Sequence, residues 1–191
     1  ENMREDMLET IELETDMLKG LENEEFFVVY QPIVNLKTRR VEGFEALARW
    51  QHPSKGLISP ERFISLAEES GFILQIGEWV LNKALKQLKI WQNDANITHK
   101  ISMAVNLSAK QLSDVGLVDI VKEALASHHI DGKYLKLEIT ESALMENTTE
   151  VKRVLNELHT CSIDFAIDDF GTGYSSLAYL GQLPVQFLKI D

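Results

Sequence analysis

The sequence predicts an α/β protein built on a largely parallel sheet. Two observations carry that expectation. Six short runs rich in β-formers alternate with longer stretches of helical period, the pattern of βαβ units. The first two runs are separated only by the polar Asn35-Leu36-Lys37-Thr38, too short for a crossover, so they pair as an antiparallel hairpin before the alternation begins.

The elements follow in order. Met3, Met7, Ile11, Leu18 and Leu21 recur at near-helical spacing, interrupted by Glu14, and predict an amphipathic helix over residues 2–19 that stops near Gly20. Phe26–Val34 and Arg40–Arg49 form the hairpin. Pro60 opens a helix with Phe63, Ile64 and Ala67 on one side. A longer helix spans Leu74–Trp91, its inward face set by Ile76, Val80, Ala84, Leu88 and Trp91. Ile101–Leu107 is the third strand, followed by a helix over Leu117–Ser127. Lys133–Thr140 is the fourth, followed by a helix from Thr148 to His159. Ile163–Asp168 is the fifth, then a Gly-rich loop and a short helix near Ser175–Leu180. Val185–Ile190 is the sixth. No repeat or linker divides residues 21–191, which read as one unit.

Composition narrows the function classes. The 191 residues are 45% hydrophobic and 26% charged, which is globular and not disordered. No apolar run is long enough to span a membrane, and the charged start, Glu1 to Leu8, does not read as a secretory signal. Cys161 is the lone cysteine, which excludes an internal disulfide and a cysteine zinc site and suits a reducing, cytoplasmic setting. The net charge of −11 argues against a nucleic acid polymer as partner. Most of that charge lies in residues 1–25, with ten acidic and two basic side chains. Two readings fit this leading helix: a solvated helix packed on the domain, or a connector to an upstream domain or a second copy.

Strands covered on both faces should be almost wholly apolar. Five of the six runs break that rule near their C-terminal ends, at Glu45, Asn106, Glu138, the pair Asp168-Asp169, and Lys189. Each alone is explained by solvent or a nearby lysine. Together they matter, because parallel strands end on one side, where such folds place their sites. Clustered carboxylates repel unless cations neutralise them, and ligation by oxygen alone selects hard ions such as Mg²⁺, Mn²⁺ or Ca²⁺. Adjacent aspartates can serve a pair of ions, the arrangement used for phosphoester displacement. A metal-dependent phosphodiesterase is therefore the favoured class.

The same residues carry a family signature. EGFEALARW around Glu45-Ala46-Leu47, YQPI at Tyr30–Ile33, NLS at Asn106–Ser108, EITE at Glu138–Glu141, DDFGTGYSSL at Asp168–Leu177 and KID at Lys189–Asp191 stand in one order over residues 21–191. The chain resembles the EAL domain of bacterial cyclic di-GMP signalling. The resemblance implies a TIM-like barrel with an antiparallel first strand, and hydrolysis of cyclic di-GMP to linear pGpG with Mg²⁺ or Mn²⁺, Ca²⁺ being inhibitory. It implies Glu45, Asn106, Glu138 and Asp168 as ligands of one metal and Asp168 and Asp169 of a second, with Glu45, Asp169 and Lys189 carrying the catalysis. Gln31, Leu47, Arg49 and Asp191 are implied as substrate contacts, and Glu141 as the anchor of the loop Phe170–Ser176, which couples dimerisation to metal binding. A homodimer and an upstream regulatory or GGDEF-type domain are implied partners, with residues 1–20 as the signalling helix. The family pattern continues past KID with two more strands, a glutamate and a glutamine. The 191 residues thus hold six of eight strands and are expected to be part of a longer protein; alone they would leave the barrel open and inactive. The alternative to an enzyme is a receptor module that binds cyclic di-GMP without cleaving it.

Other residues read as ordinary. The five histidines lack metalloprotease spacing and fit surface or core roles, although His52-Pro53 begins a loop near the rim, where substrate contact stays open. Cys161 reads as a buried small hydrophobe, the tryptophans as core, and Glu68 and Glu69 as a solvated face.

Overall fold

The computed structural model of the chain describes residues 2–97, 99–145, 148–171 and 181–190, with the side chains of 2–9 and of 148 outside the description. The short helix expected near Ser175–Leu180, Gly173 and Asp191 lie outside the described residues.

The chain runs α1 (Asn2–Glu22), β1 (Phe26–Val34), β2 (Val41–His52), β3 (Gly56–Ile58), α2 (Pro60–Ser70), α3 (Ile73–Gln92), β4 (Ser102–Leu107), α4 (Ala109–Leu112), α5 (Leu117–His128), β5 (Leu135–Thr140), α6 (Glu141–Met145), α7 (Thr148–His159), β6 (Asp164–Asp168) and β7 (Phe187–Leu188). One sheet has the order β1-β2-β4-β5-β6-β7, with β3 added to β2. β1 pairs antiparallel with β2, and every pairing from β2 through β7 is parallel. This is the arc of a TIM-like barrel with its first strand reversed. The six expected strands are all present, with differences in extent. β2 runs on to His52 to pair with β3, which lay unrecognised in the loop. β5 begins at Leu135 because Asp131 caps a 3₁₀ turn over Gly132–Tyr134. β7 keeps two residues of the expected six.

Strand alternation sorts side chains between the two faces of the sheet. Met103, Val105, Leu135, Leu137, Ile139, Phe165 and Ile167 share one face, all but excluded from solvent, where α3, α5 and α7 supply the opposing layer. The other face carries Gly43, Ala104 and Ala166, small residues where a curled sheet crowds its interior. Glu45, Asn106, Glu138, Asp168 and Lys189 fall on this small-residue face by parity with them.

The helix stripe on α1 is corrected by the structure. Ile11 and Leu18 are about half exposed, and the buried face is Leu13, Met17 and Gly20. Nor does Gly20 stop the helix, which continues to Glu22. The helix carries two apolar rows, and the one that docks is the row that meets the aromatic cluster of Trp50, Phe26 and Phe63. Trp50 stacks on Phe26 at 5.0 Å, and its Nε1 donates to Glu25 Oε2 at 3.0 Å. A Cβ on Gly20 would lie 3.0 Å from that indole nitrogen, so the close approach of α1 requires glycine. Among the described residues no helix is long and apolar enough to cross a membrane.

Candidate metal and phosphoester site

β2, β4, β5, β6 and the residue after β7 each bring one polar side chain to the C-terminal rim. Lys189 Nζ donates to Glu138 Oε2 at 2.6 Å, Asp168 Oδ2 at 2.8 Å and Glu45 Oε2 at 3.2 Å. Asn106 Nδ2 donates to Glu45 Oε1 at 2.8 Å. The contact between Lys189 and Glu45 explains the shape of the sheet. β2 and β7 are four strand spacings apart, about 19 Å if the sheet were flat, and no lysine and glutamate pair spans that distance. The sheet must curl, and the acidic cluster lies in its concavity.

The electrostatics follow from that position. Glu138 is 2% exposed, Glu45 15% and Asp168 23%. Burial, and then the charges of Glu45 and Asp168, push the Glu138 carboxyl above its ordinary range against the lowering pull of Lys189. Burial by itself would depress the Lys189 ammonium. Its hydrogen bonds to Asp168 and Glu138 and the charges of Glu138 and Glu45 outweigh that and hold it well above the usual lysine range.

Oxygen atoms of Glu45, Glu138 and Asp168 lie within 4.8 Å of one another, close enough to share one cation. The donor set is hard oxygen with an amide beside it, and the Lys189 ammonium already stands where positive charge is demanded. These residues fit a divalent cation of the Mg²⁺, Mn²⁺ or Ca²⁺ class. Asp169 follows with φ +54°, and its backbone N–H donates to Asp168 Oδ1 at 3.0 Å; that left-handed turn ends β6 at the rim.

The remaining expected residues divide. Leu47, Arg49 and Asp169 line a cavity of about 340 Å³ together with Asn106 and Asp168. The Arg49 guanidinium folds onto the Ala48 carbonyl at 2.7 Å. Gln31 stands opposite Glu45 in the β1–β2 register and is exposed outside that cavity. Glu141 is 3% exposed and accepts from the Gly171 N–H at 2.8 Å. His52 does not reach the cavity. It is 4% exposed, its Nδ1 accepts from the N–H groups of Ser54 and Lys55, and its Nε2 faces Asp16 of α1 at 3.2 Å. Alternation puts it on the helix side of β2, one residue out of phase with Leu47 and Arg49.

Sequence reading missed part of the cavity wall. Glu68, read as solvated, lines it with Ile64 one helical turn earlier, and so do Gln111 and Thr140. A signal for Gln111 was present in Ser108-Ala109-Lys110-Gln111, a capping box. The Ser108 side chain accepts from the Gln111 N–H, and the Gln111 side chain accepts from the Ser108 N–H. Cys161 is only half-buried, at the edge of the core.

The sequence profile of the EAL domain matches residues 14–191. MucR of Pseudomonas aeruginosa, a bifunctional diguanylate cyclase/cyclic di-GMP phosphodiesterase, is 43% identical over 190 residues; the match covers 100% of this chain and 27% of MucR. NbdA of Pseudomonas aeruginosa, a cyclic di-GMP phosphodiesterase, is 40% identical over 181 residues, covering 95% of this chain and 23% of NbdA. The solved structure of the PaMucR phosphodiesterase in its c-di-GMP complex superposes with a TM-score of 0.89 at 44% identity, over 94% of this chain and 72% of that one. The chain thus spans about a quarter of the length of these curated relatives.

Proposed function

This chain belongs to the EAL domain family, and from that premise we propose that the protein hydrolyses cyclic di-GMP to linear pGpG in bacterial second-messenger signalling. The observation that carries the reading is the convergence of Glu45, Glu138 and Asp168, from three strands, within 4.8 Å on one rim. Relatives named as cyclic di-GMP phosphodiesterases support the substrate.

In this reading Glu45, Asn106, Glu138 and Asp168 hold one Mg²⁺ or Mn²⁺, and Asp168 with Asp169 a second. Such ions supply a water of lowered pKa and charge neutralisation of the phosphate oxygens. The reaction opens one diester: water oxygen joins phosphorus, the P–O3′ bond breaks, and the 3′ oxygen leaves with a proton. Lys189 orients the attacking water or offsets charge on the phosphate as it develops. The guanidinium of Arg49 offers a two-pronged donor to a phosphate oxygen, with Leu47, Gln31 and Asp191 as further substrate contacts. Glu141 anchors the segment after Phe170 through the Gly171 N–H. The leading segment, residues 1–20, relays a signal from an upstream regulatory or GGDEF-type domain, residues 21–191 belong to the catalytic domain, and the protein works as a cytoplasmic homodimer.

The test is chromatography of nucleotides after incubating the full-length protein with cyclic di-GMP. We expect pGpG with Mg²⁺ or Mn²⁺, none with a chelator, and loss of more than a hundredfold in rate for a folded Glu45→Ala variant. Absence of pGpG from folded protein overturns the hydrolase reading, and calorimetric binding without turnover replaces it with a receptor. Full turnover by Glu45→Ala overturns the ligand assignment.

A further inference from the structure

We propose that Lys189 is the resident cation of the acidic cluster, and that a divalent ion binds by exchange, displacing the ammonium from the carboxylates into the cavity. The inference rests on the metal-dependent reading above and concerns how loading of that site is controlled.

Three features of the site lead here. The first is which oxygens remain available. Glu45 Oε1 is taken by the Asn106 amide, and Asp168 Oδ1 by the Asp169 N–H. The second oxygens of these carboxylates, Glu45 Oε2 and Asp168 Oδ2, are the atoms that hold Lys189 Nζ at 3.2 and 2.8 Å. With Glu138 Oε2 at 2.6 Å from the ammonium, a metal and the lysine would compete for the same three atoms. An ammonium and a metal at the same three atoms would also repel, so binding of the metal favours release of the lysine.

The second is mechanical. The Lys189 backbone is pinned on both sides, its N–H donating to the Ile167 carbonyl at 2.8 Å and its carbonyl accepting from the Phe170 N–H at 3.2 Å. Exchange therefore moves only the four-carbon side chain and leaves the strand ends in place. The third is access: the Lys189 side chain is 33% exposed, against 2% for Glu138, 15% for Glu45 and 23% for Asp168, so it is the most open of the four groups and has an outward path.

The consequence is an ordered site. Without metal, Lys189 neutralises carboxylates that would otherwise repel, and it is unavailable to water or phosphate. Loading the metal releases the lysine toward the substrate, so the group that orients the nucleophile is free only when the ion is in place. Lys189 is also the cause of a deliberately weakened metal affinity.

The test uses the full-length protein with Mn²⁺ as probe. Acetylation of amines, followed by mass spectrometry of the Lys189 peptide, reads displacement itself. We expect Lys189 labelling to rise at least fivefold at saturating Mn²⁺, with exposed Lys86 unchanged as the internal control. In calorimetry Lys189→Met should bind Mn²⁺ at least tenfold more tightly than wild type. Unchanged Lys189 labelling in protein that binds Mn²⁺, or equal or weaker binding by the Met variant, overturns exchange while leaving the metal reading intact. If neither protein binds Mn²⁺, the metal reading falls and exchange with it. Should Lys189→Met fail to fold, the wild-type labelling experiment decides alone.

Discussion

Gly43→Ala tests how tightly the acidic cluster depends on strand spacing. Gly43 lies two residues before Glu45 on β2 and pairs with Ser102 of β4. A Cβ there would lie 2.5 Å from Ser102 Oγ and 2.7 Å from the Ser102 carbonyl oxygen. The hydroxyl can rotate away at the cost of its bond to the Glu42 carbonyl. The carbonyl cannot, because it belongs to the strand. Restoring a carbon–oxygen contact of about 3.3 Å requires β2 and β4 to part by roughly 0.6 Å. Overpacking of this kind costs about 1–3 kcal/mol. At roughly 2–4 °C per kcal/mol for a chain of this size, the melting midpoint should fall by about 2–12 °C. The parted strands also carry Glu45 and Asn106, so Mn²⁺ affinity should fall with stability. Calorimetric unfolding and Mn²⁺ titration of the same preparation provide the assay. Adding Ser102→Gly should recover only part of the loss, since it removes the hydroxyl and not the carbonyl. A midpoint within about 1 °C of wild type with unchanged affinity would refute the reasoning.

Two other substitutions probe the supports of the site. Trp50→Phe keeps the stack on Phe26 and removes the indole bond to Glu25, so urea denaturation should show a loss of about 1–2 kcal/mol. Trp50→Ala empties a fully buried site and should cost about 3–5 kcal/mol; a reversed order would contradict the packing. Glu141→Ala removes the buried acceptor of the Gly171 N–H, and hydrogen exchange at that amide should quicken at least tenfold. Glu141→Gln retains an acceptor oxygen and should restore most of the protection, whereas equal exchange in the two variants would remove Glu141 as an anchor.

Much of the fold was legible because it depends on local rules. The hairpin turn at Asn35–Thr38 and the start of α2 at Pro60 are set by residues within one turn of the chain. The helix stripe failed for a physical reason. α1 offers two apolar rows, and which one is buried depends on Trp50 and Phe26, placed by a strand pairing distant in sequence. His52 ends β2 as its sequence position suggests, and its parity on the strand turns it to α1 and gives it the core role, closing the substrate contact that the sequence left open. Glu68 looked solvated because a glutamate on a helix usually is, and only the packing of α2 over the end of β2 turns it toward a cavity.

The sequence by itself determined the chemistry on offer and the side of the sheet that carries it. A period of two puts Glu45, Asn106, Glu138, Asp168 and Lys189 on one face once the strands are paired. Tertiary structure decided that these five meet. Strands β2 and β7 are separated by three others, and only the curl of the whole sheet brings Lys189 within 3.2 Å of Glu45. That curl is a collective property of twist and packing against the outer helices, and no single segment of sequence encodes it.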